Sequence, residues 1–494
     1  CAAVCHREGG WTCQGEPRLC RCAAFHTGLD CELCVVYVDE AAAIASRDGT
    51  SWETALDDVQ AAADVAAGLG AGCEVWVAAG TYGVHAGSRA DSLVLPPGVA
   101  LYGGFGGHEQ VRSERHPALQ PSILDGRDPG GGPGVYHVVV GSEDSRLDGF
   151  TVTGGEADGG GADDQGGGYW NGSMSGTVAG CLFQDNHAAG AGGALYSGVG
   201  SITVLDSTFL GNTAENGGAI YINRLTGAPT ISSCLIQGNS ASQNGAGAFL
   251  LGGGVVADTV FAENVATGRG GGVEVQGFVD LLRCSFRANR ARDGAGVNQA
   301  TGAVLLSACV LAENIASAAG GGFRATAGLG VSRLESCLLW GNRAQAGAGL
   351  WVDRSAPEIV NCTIADNAAS GCGGGLRLLG LASPLVQNCI FWGNLGAPQA
   401  QICADPAATP TVTFCDVDGG YAGTGNSNAT PLFVGGGDYR LQPGSPCIDA
   451  GLGDSHTPDT DLAGLARNDA GLAGTNGGQG SPAYVDLGAY EHWP

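Results

Sequence analysis

Lysine is absent from this 494-residue chain; all 22 of its basic side chains are arginine. That absence excludes Schiff-base chemistry and a lysine general base. Methionine occurs once, aromatic residues make up 6% and charged residues only 14%. Basic groups are outnumbered by 48 acidic ones, for a net charge of −26. So acidic a surface repels nucleic acid and anionic membrane, and excludes both as partners. No apolar run reaches the roughly 18 residues of a transmembrane helix. No secretory signal stands at the start, and the expectation is that one has been removed.

Glycine, by contrast, occurs 89 times and cysteine 19 times. Without a three-residue glycine period, and with 44% hydrophobic residues, the chain reads as neither collagen-like nor disordered. Seven cysteines lie in the first 34 residues. Such density without a core reads as a disulfide framework in an oxidising compartment, with zinc binding as the weaker alternative.

One pattern organises the rest. An apolar residue followed three positions later by asparagine recurs at Asn186, Asn212, Asn239, Asn264, Asn289, Asn314, Asn342, Asn367 and Asn394. The steps are 26, 27, 25, 25, 25, 28, 25 and 27 residues, a solenoid period. Each unit holds short alternating runs such as "EIVNCTI" and "GGALYS", and alternation means strand. Three short strands with turns fill about 25 residues, one coil of a parallel β-helix. Apolar residues such as Phe209 then point inward, and each Asn ends a strand at a bend and forms a structural ladder. Glycines such as Gly217 and Gly218 permit a tight corner. Cys181, Ser207, Cys234, Thr259, Cys284, Cys309, Cys337, Cys362 and Cys389 precede the apolar residue by two, which turns them inward as small packing residues, mostly free thiols.

"FLGNTAENGGAIY" and "FQDNHAAGAGGALY" resemble the repeats of the polymorphic outer-membrane protein family over about residues 180–395. That resemblance implies an extracellular β-helical passenger and no particular activity. "SWETALDDVQAAADVAAGLGAG" (51–72) reads as an amphipathic capping helix. The AGTY, GGF and DGFTVTGG segments after it resemble secreted right-handed β-helix proteins. "CRCAAFHTGLDCELC" resembles the laminin-type EGF signature, which implies Cys1–Cys13, Cys5–Cys20 and Cys22–Cys31 pairings. Cys34 is left over, with Cys73 as a candidate mate. A Cys at the first position also resembles an acylated bacterial lipoprotein start, so lipidation and a disulfide compete for Cys1. "PLFVGGGDYRLQPGSPCIDAG", "DLAGLAR" and "VDLGAYE" resemble the C-terminal part of the choice-of-anchor Q group of bacterial surface proteins. The acidic residues and Arg467 of that region read as a capping ion-pair network.

The expected fold is all-β, a right-handed parallel β-helix with an EGF-like N-terminal module and a capping helix. The segments are residues 1–34, the EGF-like module; 35–180, cap and irregular coils; 181–430, regular coils; and 431–494, the C-terminal cap. The residue after the buried apolar one in each glycine-rich strand faces out. It offers Tyr196, Tyr221, Arg324, Trp351 and Arg377 for glycan binding, with Trp340 and Trp392 as outward aromatics; ordinary strand surface is the plainer reading. Glu156, Asp158, Asp163 and Asp164 share an acidic loop that offers oxygen ligands to Ca²⁺, or else is simply solvated. No cofactor is required and no catalytic residue is assigned.

The expected function is a non-enzymatic extracellular or bacterial outer-surface rod for adhesion, display or assembly. Its expected partners are a glycan, another cell-surface component or further copies of itself, with a lipid anchor at Cys1. A polysaccharide-active lyase or hydrolase is the alternative, and a self-assembling filament subunit the third reading.

Overall fold

The computed structural model describes residues 11–13, 20–22, 26–27, 33–42, 47–70, 72–172, 175–223, 229–467, 479–481 and 485–492, the first three segments and Leu33 as backbone only. The expected Cys1–Cys13, Cys5–Cys20 and Cys22–Cys31 bonds and the acylation of Cys1 fall outside these side chains. Two compact units are present, Cys1–Ala214 with Asn223–Pro229 and Glu215–Ile222 with Thr230–Pro494.

In the first unit, Leu33–Val38, Glu74–Ala78, Ala100–Phe105, Ser145–Asp148, Gly176–Ala179 and Ile202–Leu205 pair in parallel, in that order. A second parallel face runs through Gly80–Gly83, Ser122–Asp125, Phe150–Thr153, Leu182–Gln184 and Thr208–Leu210. Strands one coil apart in sequence are therefore hydrogen-bonded neighbours, which is the parallel β-solenoid. An aromatic cluster of Tyr37, Trp52, Trp76 and Phe105 fills the first coils, with Trp76 stacked on Phe105 at 4.8 Å. Cys34 and Cys73 close a disulfide between the first two strands, with Cα atoms 4.5 Å apart.

The helix is shorter than the 51–72 expectation and spans Val59–Leu69. Asp58 caps it, accepting from the Ala61 amide at 2.8 Å. The residues before it are held in the sheet instead: the Leu56 amide donates to the Tyr37 carbonyl at 2.9 Å. Ala62, Ala63 and Ala66 form its buried face.

The second unit repeats the arrangement. Leu235–Gln237, Val260–Ala262, Ser285–Arg287, Val310–Ala312, Leu338–Trp340, Thr363–Ala365 and Ile390–Trp392 form one parallel face. Ala248–Ala257, Val273–Leu282 and Val297–Ser307 are long strands on another. After them the same path splits in two, as in Phe323–Thr326 and Arg333–Glu335. Interior rings stack coil on coil, Phe261 on Phe286 at 5.0 Å.

Each part of the repeat has a physical role. The residue before each ladder Asn takes left-handed backbone: φ is 58° at Glu263, 54° at Ala288, 56° at Glu313, 64° at Gly341 and 54° at Asp366. That bend swings the Asn inward, where it is fully buried at Asn264, Asn289, Asn314, Asn342 and Asn367. Asn289 Oδ1 accepts from both the backbone amide and Nδ2 of Asn264, each at 3.0 Å. Asn289 Nδ2 donates to the Phe261 carbonyl and to Asn314 Oδ1, again at 3.0 Å. Only a side-chain amide, donor and acceptor at once, can satisfy both sides. In the glycine pair, Gly217 has φ 64°, and a Cβ on Gly218 would lie 2.4 Å from the Ser240 carbonyl oxygen.

The inward cysteines Cys181, Cys234, Cys284, Cys309, Cys337, Cys362 and Cys389 are buried free thiols, joined by Cys415 one coil further on. Burial pushes the Cys181 thiol up to about 12, so it stays protonated and inert.

Candidate functional site

In the second unit the outward positions of the glycine-rich strands form one ladder in register: Phe249, Glu274, Asn298, Arg324, Trp351, Arg377 and Cys403. Tyr221 stacks on Phe249, ring centroids 4.9 Å apart. In the first unit Tyr196 stands in register with Trp170 and is 9% exposed, so little of its ring is available.

The ladder engages itself. Asn298 Nδ2 donates to Glu274 Oε2 at 2.8 Å, and Arg324 Nη1 donates to Asn298 Oδ1 at 3.0 Å. The Arg324 guanidinium lies 4.5 Å from the centre of the Trp351 ring. Arg377 pairs with Asp405 at 2.5 Å. The side chains of the expected platform at Arg324, Trp351 and Arg377 are therefore already engaged. One guanidinium covers the indole and a carboxylate neutralises the other, because side chains stacked at coil spacing find partners in the next coil before any ligand does. Cys403 and Cys372 form a disulfide between neighbouring coils that the spacing did not reveal.

Glu274 is fully buried among these groups. Burial raises its pKa from the usual carboxylate range to about 7, against the opposing pull of Asn298 and Arg269. The sign follows: the native state keeps the proton where the unfolded chain has already lost it. Stability therefore falls as pH rises from about 4.5 to about 7. Glu274→Gln keeps an acceptor for Asn298 and removes the charge. It should stabilise the unit by about 2–3 kcal/mol at pH 8 and by nearly nothing at pH 4. Urea unfolding at the two pH values checks this; an equal effect at both would mean that Glu274 does not titrate.

Trp340 and Trp392 stand apart from that ladder. They lie on a different face from Trp351, on the strands Leu338–Trp340 and Ile390–Trp392, and that face is covered. The C-terminal segment packs over it: Leu441, Cys447, Ile448 and Leu487 against Ile390, with Trp392 at the edge. Tyr439 and Ala489 pack against Leu338 and Ala365, with Trp340 beside them. Alternation turned both indoles outward as expected, but outward here is a second core. Polar contacts hold the cover down. The Ser336 hydroxyl donates to the Thr460 carbonyl at 2.7 Å, Asn361 Nδ2 to the Asp486 carbonyl at 2.9 Å, and the Ala489 amide to Thr363 Oγ1 at 2.9 Å. Beneath them Arg467, 1% exposed, faces Glu491 at 3.4 Å and donates to the Ala489 carbonyl at 2.8 Å.

The acidic loop in the first unit does not converge on a ligand. Glu156 Oε2 accepts from the Gly134 amide at 2.8 Å, Asp158 pairs with Arg89 at 2.5 Å, and Asp163 lies 3.6 Å from His137. Asp164 ends a short 3₁₀ turn, Gly161–Asp164. Among the described residues no three His, Cys, Asp or Glu side chains gather to hold a metal. A cavity of about 930 Å³ in the same unit is rimmed by Asp58 and Asp91. Both carboxylates serve the backbone, Asp58 at the helix start and Asp91 on the Ala86 and Ser88 amides. No helix among the described residues is long and apolar enough to cross a membrane.

Two known families match parts of the chain. Residues 256–417 match the right handed beta helix region family. Residues 180–198 and 206–223 match the Chlamydia polymorphic membrane protein repeat. No curated protein sequence matches the chain. Among solved structures, pectate lyase Pel9A is similar at 13% identity and TM-score 0.37, over 93% of this chain and 96% of that one. The A-module of the Azotobacter vinelandii mannuronan C-5 epimerase AlgE4 is similar at 14% identity and TM-score 0.32, over 76% of this chain and 99% of that one. PfbA, a surface adhesin of Streptococcus pneumoniae, is similar at 13% identity and TM-score 0.30, over 76% and 93%. Nothing about chemistry is carried over from likenesses of this order.

Proposed function

We propose that the chain is a non-enzymatic extracellular scaffold, a stacked β-solenoid that presents its surface for attachment, display or assembly. The observation that carries this reading is where the polar side chains of the repeat go. The Asn ladder bonds coil to coil, and the outer ladder from Glu274 to Arg377 is engaged by its own neighbours. The chemistry of the motif is thus used for stacking and does not converge on a substrate. The carboxylates Glu263, Glu313 and Asp366 stand at the left-handed corner of their coils, and Asp366 is engaged by the Tyr439 hydroxyl.

Two disulfides beside a row of sealed thiols support an oxidising, extracellular setting. The polymorphic membrane protein repeats support a cell-surface one. A glycan, another surface component or a second copy of the chain is the partner this reading expects. Incubated with pectate, alginate and neutral β-glucans, the full chain should release no reducing ends and no unsaturated products. Turnover of any of them would replace the scaffold by an enzyme.

A further inference from the structure

The C-terminal cover does not seal the whole face on which it lies. At its edge a cleft of about 400 Å³ remains, lined by Glu313, Trp340, Gly341, Arg343, Asp366 and Tyr439. Its volume is within the range of small-molecule sites, about 300–1,000 Å³. Trp340 stands in register between Ala312 and Ala365, so the neighbouring coils leave the indole room on both sides. The Tyr439 ring, supplied by the cover, meets it at 6.0 Å and 42°, which makes a two-sided aromatic corner.

Polar groups surround that corner. Glu313, Gly341 and Asp366 occupy the same left-handed position on three successive coils. A Cβ at the middle glycine would lie 3.5 Å from Glu313 Cγ, so the Glu313 side chain reaches over Gly341, and Asp366 stands on the coil beyond. The Tyr439 hydroxyl donates to Asp366 Oδ2 at 2.8 Å, and burial together with this carboxylate raises the tyrosine pKa, so it stays neutral. Glu313 and Arg343 are exposed, and neither side chain has a hydrogen-bond or ion-pair partner among the described residues.

We propose that this cleft binds a neutral pyranose unit of a glycan. The apolar face of a sugar ring stacks on an indole, while its hydroxyls donate to carboxylates and accept from a guanidinium. Two carboxylates against one arginine, in a chain of net charge −26, disfavour uronate and sulfated sugars. The cleft exists because two parts of the chain far apart in sequence meet. This assignment rests on the scaffold reading's expectation of a glycan partner and gives that partner a site.

Calorimetric titration of the full chain with cellotetraose, mannotetraose and laminaritetraose, alongside tetragalacturonate, tests it. Saturable binding of at least one neutral tetrasaccharide is expected, with tetragalacturonate about tenfold weaker or worse. Trp340→Ala should lower affinity by about tenfold or more, and Arg343→Ala by severalfold. Trp351→Ala, on the other face, should change nothing. Arg343 and Glu313 are exposed, so Arg343→Ala and Glu313→Gln carry the test should Trp340→Ala fail to fold. No binding of any neutral tetrasaccharide at millimolar concentration would overturn the assignment. So would a preference for tetragalacturonate, or unchanged affinity in Arg343→Ala and Glu313→Gln. Turnover of the sugar would count against the scaffold reading and leave the site in place.

Discussion

Asn289→Leu is expected to destabilise the second unit by about 2–6 kcal/mol, although leucine nearly matches asparagine in shape. The substitution removes the acceptor of the Asn264 amide and of Asn264 Nδ2, and the donor to the Phe261 carbonyl. Asn264 Nδ2 keeps the Ile236 carbonyl at 2.9 Å, and each of the other two buried groups left unpaired costs about 1–3 kcal/mol. Coils of a solenoid are coupled to their nearest neighbours, so the damage should centre on the coils of Asn264 and Asn314. Amide hydrogen exchange resolves this, with protection falling first at those coils. A melting midpoint lowered by roughly 8–20 °C is the global readout. An unchanged midpoint would mean that the Asn ladder decorates the corner without holding it.

Arg467→Met is expected to release the C-terminal cover and leave the coils intact. The guanidinium is buried opposite Glu491, and burial lowers its pKa against the opposing pull of the Glu491, Asp461 and Asp486 carboxylates. Removing one partner of such a cluster strands buried negative charge, at about 3–5 kcal/mol. The effect should depend on pH. Burial raises Asp486 to about 7, so the folded chain keeps that proton between about 3.8 and 7, where the unfolded chain has lost it. The contribution of this group to stability therefore falls as pH rises through that window. With Arg467 gone, the cover should be looser at pH 8 than at pH 5. Quenching of tryptophan emission by acrylamide reports the release, because Trp340 and Trp392 lose the cover over them. Full loss of β-sheet circular dichroism would instead show that the cover is part of the coil fold.

The course of the coil was legible because everything that specifies it is local and repeated. An apolar residue, a corner residue that tolerates left-handed backbone, and an asparagine within four positions define one bend. A spacing of 25–28 residues then brings each bend over the last. Phe286, Ala288 and Asn289 have these roles whatever lies elsewhere in the chain. Cys34 with Cys73 was within reach for a related reason, since both flank the first two strands. The helix start was misplaced because Leu56 is claimed by Tyr37, a pairing that helical periodicity does not register.

What covers the coil was decided only by the tertiary structure. Alternation separates inward from outward, and it placed Trp340 and Trp392 outward. It carries no information about a segment some 50 to 150 residues later that returns to pack on that face. Alternation is equally silent about neighbours one coil away: Glu274, outward by that rule, is buried in the fold, and Trp351 lies under Arg324. Short-range hydrogen bonding and steric rules determine the coil, and they are written into each repeat. The cover, and the cleft that it leaves beside Trp340, depend on apolar and ionic contacts between distant segments, which no single repeat encodes.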